Sequence, residues 1–486
     1  MAAEQTSSGP SFEERQAALV SGMGARDPTD MTTGTLVVLP SITFPEEELR
    51  KIIGIQYYEE RLLFLLLLLR NPDLRIVYVT SIRVEEPIVD YYLGFVPPET
   101  RPGDRLYLIA LWDAQQNALT EKLLDRPEAL ERMSVLAEDA CLVPFNVTDL
   151  EVKVAEATGI PLYGCPPDLV HLGFKSGSRK VAREAGVPVL SGAEDLFSVD
   201  EVLGALEDLK ATGARSAVIK LNEGFSGQGN AVVDLDTLCR PLASTATVFC
   251  ASEESWPSFE RKITQGGAVV ERFVRGPGVV SPSVQMRIAP DGSCEVVSTH
   301  DQILGGPDDQ VYLGCRFPAS SDYRLQIQEL GERVGKVLAA KGVIGPFGID
   351  FIIVPGEAGR EIYLSEINLR MGGTTHPFLM AKLVTEGTYD PVTGELVADG
   401  RSKHYISTDN LKSESHVGSL PEEVIAALDR AGLGFDRVTH TGTTLHLLGA
   451  VKKHGKIGVL CIADSVIEAD AMYNRVLDEL GEISSG

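Results

Sequence analysis

The chain lacks paired cysteines, an excess of cations and any long apolar run, and each absence removes a class of protein. Its seven cysteines, Cys141, Cys165, Cys239, Cys250, Cys294, Cys315 and Cys461, form no CxxC pair. Scattered and odd in number, they read as reduced, mostly buried thiols and offer neither a disulfide framework nor a zinc site. The strongest apolar run, Leu62 to Leu69, lies between Glu59-Glu60-Arg61 and Arg70. A membrane-spanning helix needs roughly 20 residues, so this run is expected at the buried end of a helix packed on a sheet. The N-terminus lacks the basic-then-apolar layout of a secretory leader, and a cytoplasmic location is expected. Against 69 acidic residues stand 44 basic ones, a formal net charge of −25. That argues against nucleic acid or a membrane as the main partner. No Gly-Lys-Ser/Thr loop is present ahead of a helix, and no GxGxxG turn follows the first apolar strand. No internal repeat is evident.

What remains is an acidic chain of 486 residues with 44% hydrophobic content. That content suits globular packing, and the length calls for two or three domains. Residues 1–33 are polar, with one amphipathic turn at Phe12 to Leu19, and partial disorder is expected there. From 34 to 165, strands alternate with helices. Strands are read at Leu36-Pro40, Arg75-Thr80, Leu106-Ala110 and Cys141-Phe145, with helices at about Glu46-Arg70, Ala118-Leu124 and Pro127-Ala137. Such alternation predicts a parallel, Rossmann-like sheet. Pro166-Pro167 opens the next region. Residues 386–486 hold an irregular Gly/Asp/Ser/Thr-rich stretch to about Ser419, a helix at Pro421-Ala431, a hairpin and a final amphipathic helix at Ser465-Leu480.

The richest local pattern is a hairpin carrying carboxylates. Gly348 to Val354 reads as a strand, Pro355 to Arg360 as a turn and Ile362 to Asn368 as the returning strand. Folding about Glu357 to Gly359 places Asp350 opposite Glu366. Glu366 and Asn368 are two residues apart and share one strand face. Two carboxylates that close repel unless a cation intervenes, and an oxygen-only set suits Mg²⁺ completed by phosphates. A solvated acidic hairpin is the plainer alternative.

Upstream, Ala217 to Leu221 is a short strand carrying Lys220. Asn222 to Asn230 follows, with glycines that let backbone N–H groups curl around phosphate oxygens. Lys220 adds a point charge for those phosphates. Earlier still, Lys175 precedes a short helix with Ser176 read as its N-cap and Gly186 as its C′ residue. Gly267 to Val274 reads as a buried strand ending at a Gly-Pro-Gly turn.

In this order the parts resemble the ATP-grasp superfamily of carboxylate–amine ligases, over about Lys175 to Arg370. The resemblance implies an α/β and α+β architecture. A Rossmann-like pre-ATP-grasp domain (34–165) precedes a two-lobed ATP-grasp core (166–385), with lobes at 166–265 and 266–385. Residues 386–486 are then expected to pack on that module. It implies ATP phosphates on Lys175 and Lys220, with Lys180 a rival to Lys175. It implies a lid of Ser226, Gly227 and Gly229, and adenine held by the backbone of Glu271, Arg272, Phe273 and Val274. One or two Mg²⁺ fall to Asp350, Glu366 and Asn368, and Arg370 neutralises the phosphate in transfer. The acid that usually serves the ribose is missing between Val279 and Gln285, where Ser281 and Ser283 are the candidates.

Over nearly the whole chain, "LVVLPSITFP", "SPSVQMRIAPDG", "STHDQILGGPDDQVYLGCRFPA" and "EINLRMGGTTHPF" are similar to the pheganomycin-type peptide ligases. That resemblance implies secondary metabolism. An unusual amino-acid-like acid would be activated as an acyl phosphate and joined to a peptide amine, with ADP and phosphate released. The partners are thus a small-molecule carboxylate and a peptide or amino-acid amine, with a homodimer the assembly considered. Arg287 is a candidate for pairing with a substrate carboxylate. Thr374, Thr375 and His376 are expected near the acyl group, His376 either as a base for the amine or as a backbone brace. Asp301 and Gln302 are candidates for a cationic acid substrate, on the resemblance. An ATP-grasp enzyme of other chemistry and a non-catalytic ATP-binding regulator are the alternatives.

Overall fold

The computed structural model of the chain describes residues 11–24, 26–50, 52–136, 139–223, 229–251, 254–305, 311–356 and 359–482. Four strands near the N-terminus, β1 (Thr33–Leu39), β2 (Asp73–Thr80), β3 (Leu106–Ala110) and β4 (Ala140–Pro144), form a parallel sheet in the order β3-β2-β1-β4. Side chains alternate between its two faces. Val37, Leu39, Val77 and Val79 enter one core, and Leu36, Val38, Ile76 and Tyr78 enter another. A parallel sheet buried on both faces reads as a continuous apolar run, which is why these strands were legible.

Two expectations for this region need correction. Phe12–Met23 is a helix with a capping box from Ser11 and Glu14, not a single turn. The helix expected over Glu46-Arg70 is broken. Glu46–Leu49 is a short α-helix, Gly54 takes φ 73°, and Ile55–Arg70 winds as a 3₁₀ helix. A left-handed glycine stops a right-handed helix at that point. The leucine run is buried, as expected, but so are Glu59, Glu60 and Arg61 beside it. No helix among the described residues is long and apolar enough to cross a membrane.

The second sheet has five strands in the order β5-β9-β6-β7-β8, built from β5 (Gly192–Leu196), β6 (Ser216–Leu221), β7 (Asn230–Asp234), β8 (Thr247–Phe249) and β9 (Ala268–Arg272). Its pairings are antiparallel, and it carries Lys220 and Glu271 at its centre.

The third sheet collects ten strands among the described residues. They are β10 (Pro282–Ile288), β11 (Cys294–Gly305), β12 (Val311–Phe317), β13 (Gly345–Gly356), β14 (Gly359–Asn368), β15 (Thr388–Asp390), β16 (Glu395–Ala398), β17 (Arg401–Lys412), β18 (Gly442–His446) and β19 (Lys456–Ala463). The path runs β14-β13-β10-β11-β12-β17-β16-β15, with β19 joining β17 to β18. The stretch read as irregular after residue 386 is therefore a meander. Its glycines, Gly394 at φ 69° and Gly400 at φ 73°, make the turns rather than break the structure. The C-terminal strands do not merely pack on the sheet; β17 hydrogen-bonds directly to β12.

Candidate active site

The β13–β14 hairpin builds the acidic centre as its periodicity predicts. Asp350 stands opposite Glu366, and Gly348 opposite Asn368. The Asn368 amide donates to Asp350 Oδ2 at 3.1 Å and to Glu366 Oε1 at 3.0 Å. Its own oxygen accepts from Arg370 Nη1 at 2.7 Å. Gln302, two strands away on β11, donates to Asp350 Oδ1 at 2.6 Å. Lys175 makes a close ion pair with Glu366.

Charge separates the two carboxyls. Burial, and then the charge of Glu366, pushes the Asp350 carboxyl well above the usual range. Burial raises Glu366, but the Lys175 ammonium, the Asn368 amide and Lys220 together outweigh it and hold that carboxyl below the usual range. Two carboxyls this close favour a proton or a cation between them. The donor set is two carboxylates and one amide; the carboxylate oxygens face the centre, while the Asn368 oxygen is held by Arg370 and would reach a cation only with its amide turned. Among the described residues no group of three His, Cys, Asp or Glu is assembled for a metal. Such a site fits Mg²⁺ that takes its remaining ligands from phosphates and water.

Of the two rival lysines, Lys175 is buried against Glu366, whereas Lys180 is exposed and pairs with Asp195. Lys175 opens the helix Lys175–Glu184. Ser176 is inside this helix rather than its N-cap. Asn222 Oδ1 accepts from the Ser176 backbone N–H at 3.0 Å, so the cap comes from the far side of β6. Gly186, at φ 67°, follows the helix end as expected.

Lys220 donates to Ser365 Oγ at 3.2 Å and pairs with Glu271 Oε2 at 2.7 Å. Glu271 also receives Arg179 Nη1 at 2.6 Å, and Arg179 reaches Glu194 at 3.0 Å. The Glu271 side chain is therefore a buried brace for Lys220, and its backbone is paired on both sides within the sheet. Arg272 N–H is taken by Ser191 and Phe273 N–H by Ser216. The N–H groups of Arg272 and Phe273 are thus already paired. Gly229 accepts from Leu221 N–H. Ser226 and Gly227 lie outside the described residues.

Beside the hairpin opens a cavity of about 440 Å³. Asp350, Glu366, Asn368, Arg370, Gln302 and Thr374 line it. Three expected substrate residues do not line this cavity. Arg287 binds Asp30 at 2.9 Å and Glu295 at 2.9 Å, fastening the N-terminal segment. Asp301 alternates with Gln302 and faces the other way, accepting from Tyr323 Oη at 2.6 Å and from Ser320 N–H at 3.0 Å. His376 is buried, with Nε2 3.0 Å from His446 Nε2, so it does not face the cavity as a base. Burial and the neighbouring His446 hold its pKa well down. Thr375 accepts from Gly372 N–H at 2.9 Å and shapes the turn after β14.

Sequence reasoning missed the opposite wall, made by Tyr58, Arg61, Asp409, Asn410, Lys412 and Lys456. Its one signal was Glu59-Glu60-Arg61, three charges set beside a run of leucines with no solvent-facing stripe.

Known proteins resemble this chain in sequence and in fold. A family model described as IQCH-like, ATP-grasp matches residues 236–392, and one described as PGM1 C-terminal domain matches residues 423–476. The L-propargylglycine--L-glutamate ligase of Streptantibioticus cattleyicolor is 31% identical over 464 residues, spanning 92% of this chain and 94% of the relative. Among solved structures, the ADP complex of the N5-carboxyaminoimidazole ribonucleotide synthetase purK superposes with a TM-score of 0.53 at 13% identity. That superposition spans 93% of this chain and 98% of the other. The biotin carboxylase domain of the Hydrogenobacter thermophilus 2-oxoglutarate carboxylase, with MgADP and bicarbonate, gives a TM-score of 0.56 at 14% identity. It spans 91% and 89% of the two chains.

Proposed function

Because the chain belongs to the ATP-grasp ligases, we propose that it joins a carboxylate to an amine at the expense of ATP. The observation that carries this is the gathering of Lys175, Lys220 and Arg370 around the Asp350–Glu366–Asn368 centre, at the mouth of a cavity.

A carboxylate acylates poorly because oxide is a poor leaving group. Attack of its oxygen on the γ-phosphorus of ATP forms an acyl phosphate and releases ADP. The phosphoryl group in flight spreads negative charge, and fixed cations facing it lower the barrier. In this reading Lys175 and Lys220 meet the phosphates and Arg370 the phosphoryl group on the side of the cavity it lines. Asp350, Glu366 and Asn368 would hold Mg²⁺, which would supply charge neutralisation for those phosphates. The amine then attacks the acyl carbon, the C–N bond forms, and phosphate leaves with the acyl C–O bond broken. Excluding water protects the acyl phosphate, and the glycine-rich segment around Ser226, Gly227 and Gly229 is the lid in this reading. The relative's name carries two amino acids, and both substrates here are read as amino-acid-like, the amine belonging to an amino acid or a peptide. Work in secondary metabolism and in the cytoplasm follows from the same reading. The divisions at 34–165, 166–385 and 386–486 are its working domains.

The test is product analysis. With Mg²⁺, ATP and mixed amino acids, ADP and phosphate should appear in step with an amide. Hydroxylamine in place of the amine should give a hydroxamate. AMP and pyrophosphate as stoichiometric products would overturn the acyl-phosphate route.

A further inference from the structure

The cavity has two walls of different chemistry. One carries the acidic centre. The other is assembled from the 3₁₀ helix Ile55–Arg70, the end of β17 and the start of β19, and it carries Arg61, Lys412 and Lys456 against the single carboxylate of Asp409. None of the described residues of the hinge, and neither Lys175 nor Lys220, lines this cavity. The cations on the far wall therefore lie outside the set assigned to the phosphates.

These cations are built in rather than draped on the surface. Arg61 and Lys456 are buried, and Asp409 between them is buried too. Arg61 makes a close ion pair with Asp409 and stacks over the Tyr58 ring with 4.0 Å from Cζ to the centroid. Lys456 Nζ donates to Tyr58 Oη at 2.5 Å and sits 4.8 Å from the same ring's centroid. Asp409 balances one of the two buried cations. Arg61 Nε is buried and has no hydrogen-bond partner among the described residues. Buried charges are ordinarily paired, so a buried cation left in excess, lining a cavity, marks a place for an anion. A guanidinium and an ammonium side by side match the two oxygens of a carboxylate.

We propose that Arg61 and Lys456, braced by Asp409 and Tyr58, form a subsite for a substrate carboxylate that is not activated and survives in the product, the free α-carboxylate of an amino acid. Lys412, exposed on the rim, draws that group in. Asn410, beside Asp409, adds an amide to the wall. This proposal rests on the ligase reading and sharpens it, since a substrate capped as an amide would meet unpaired buried cations.

Binding decides it with the whole chain, Mg²⁺ and a non-hydrolysable ATP analogue. Each of the twenty L-amino acids, with L-propargylglycine added, is titrated by calorimetry beside its α-carboxamide. At least one free acid is expected to bind at least tenfold more tightly than its carboxamide. Lys456→Met, which keeps length and apolar volume, should erase that difference while affinity for the ATP analogue stays within twofold. Lys412→Met, at an exposed position, should weaken the free acid about threefold. Equal binding of acid and carboxamide, or no binding by any free acid, overturns the subsite. The source of the carboxylate is read from turnover: a carboxamide nucleophile fails if the amine owns it, and an acid amidated at its α-carboxyl fails if the activated acid owns it. ADP-coupled amide formation that is indifferent to both caps would remove the subsite and leave the ligase standing. Acid-selective binding without ADP release would do the opposite.

Discussion

Asp350 and Glu366 stand opposite one another across β13 and β14, and a single amide, that of Asn368, donates to both. Two carboxylates so placed hold a proton or a cation between them, and Lys175 decides which of the two ionises first. Glu366→Gln keeps the shape and removes the charge that Lys175 meets. Turnover is expected to fall by ~10²–10³, with the circular dichroism spectrum unchanged because the apolar neighbours are untouched. A folded variant working at the parent rate would remove Glu366 from the metal set.

The two candidate lysines separate cleanly. Lys175→Met should lose ~10²–10³ in kcat, since it removes a positioned charge. Lys180→Met should stay within twofold, because Lys180 is exposed and meets Asp195 rather than the acidic centre. The reverse order of effects would move the phosphate site along the helix.

Arg287 should behave as a structural residue. It fastens Asp30 and Glu295 on a side chain only 18% exposed. Arg287→Met is expected to lower unfolding stability by about 1 kcal/mol or less, because Asp30 and Glu295 are 34% and 54% exposed and solvent-accessible ion pairs contribute little. The KM for either substrate should not change. A rise in one substrate's KM with unchanged stability would return Arg287 to the binding site.

Acid should unfold the protein through its buried histidines. Burial lowers His446 to about 4, with Arg61 and Lys456 adding to the effect against Asp409, and burial lowers His300 to about 3. In the unfolded chain both take protons near pH 6.5. Between those values the unfolded state binds more protons, so stability is full above pH 6.5 and falls as pH drops towards 4. Each group removes about 1.4 kcal/mol per pH unit across that window. His446→Asn should flatten the measured slope by one group's share. An unchanged slope would mean that His446 is already protonated in the native state.

How much of this was legible follows from which contacts are local. The acidic hairpin was readable because its period is two and its turn is short, so opposing residues follow from counting. The parallel sheet was readable from apolar runs. The side-chain facing of Arg287 and Asp301 was not, because one residue of register decides between cavity and exterior, and the partners Asp30 and Tyr323 are remote in sequence. The far wall was least readable. Arg61 and Asp409 are 348 positions apart, and their burial is a tertiary fact without a local pattern. The meander after residue 386 was hidden because its turn glycines look like the composition of a loop.

That separation of Arg61 from Asp409 has a consequence for the chain as it is made. Synthesis runs from the N-terminus, and the wall begun at residue 61 waits for β17 and β19 to leave the ribosome before it is complete. A nascent chain that has already folded its parallel sheet, Lys175, Lys220 and its acidic hairpin still has a cavity open on one side. The chamber is thus completed only after β17 and β19 have been made, and a fragment that stops before Arg401 carries Arg61 without Asp409 or Lys456.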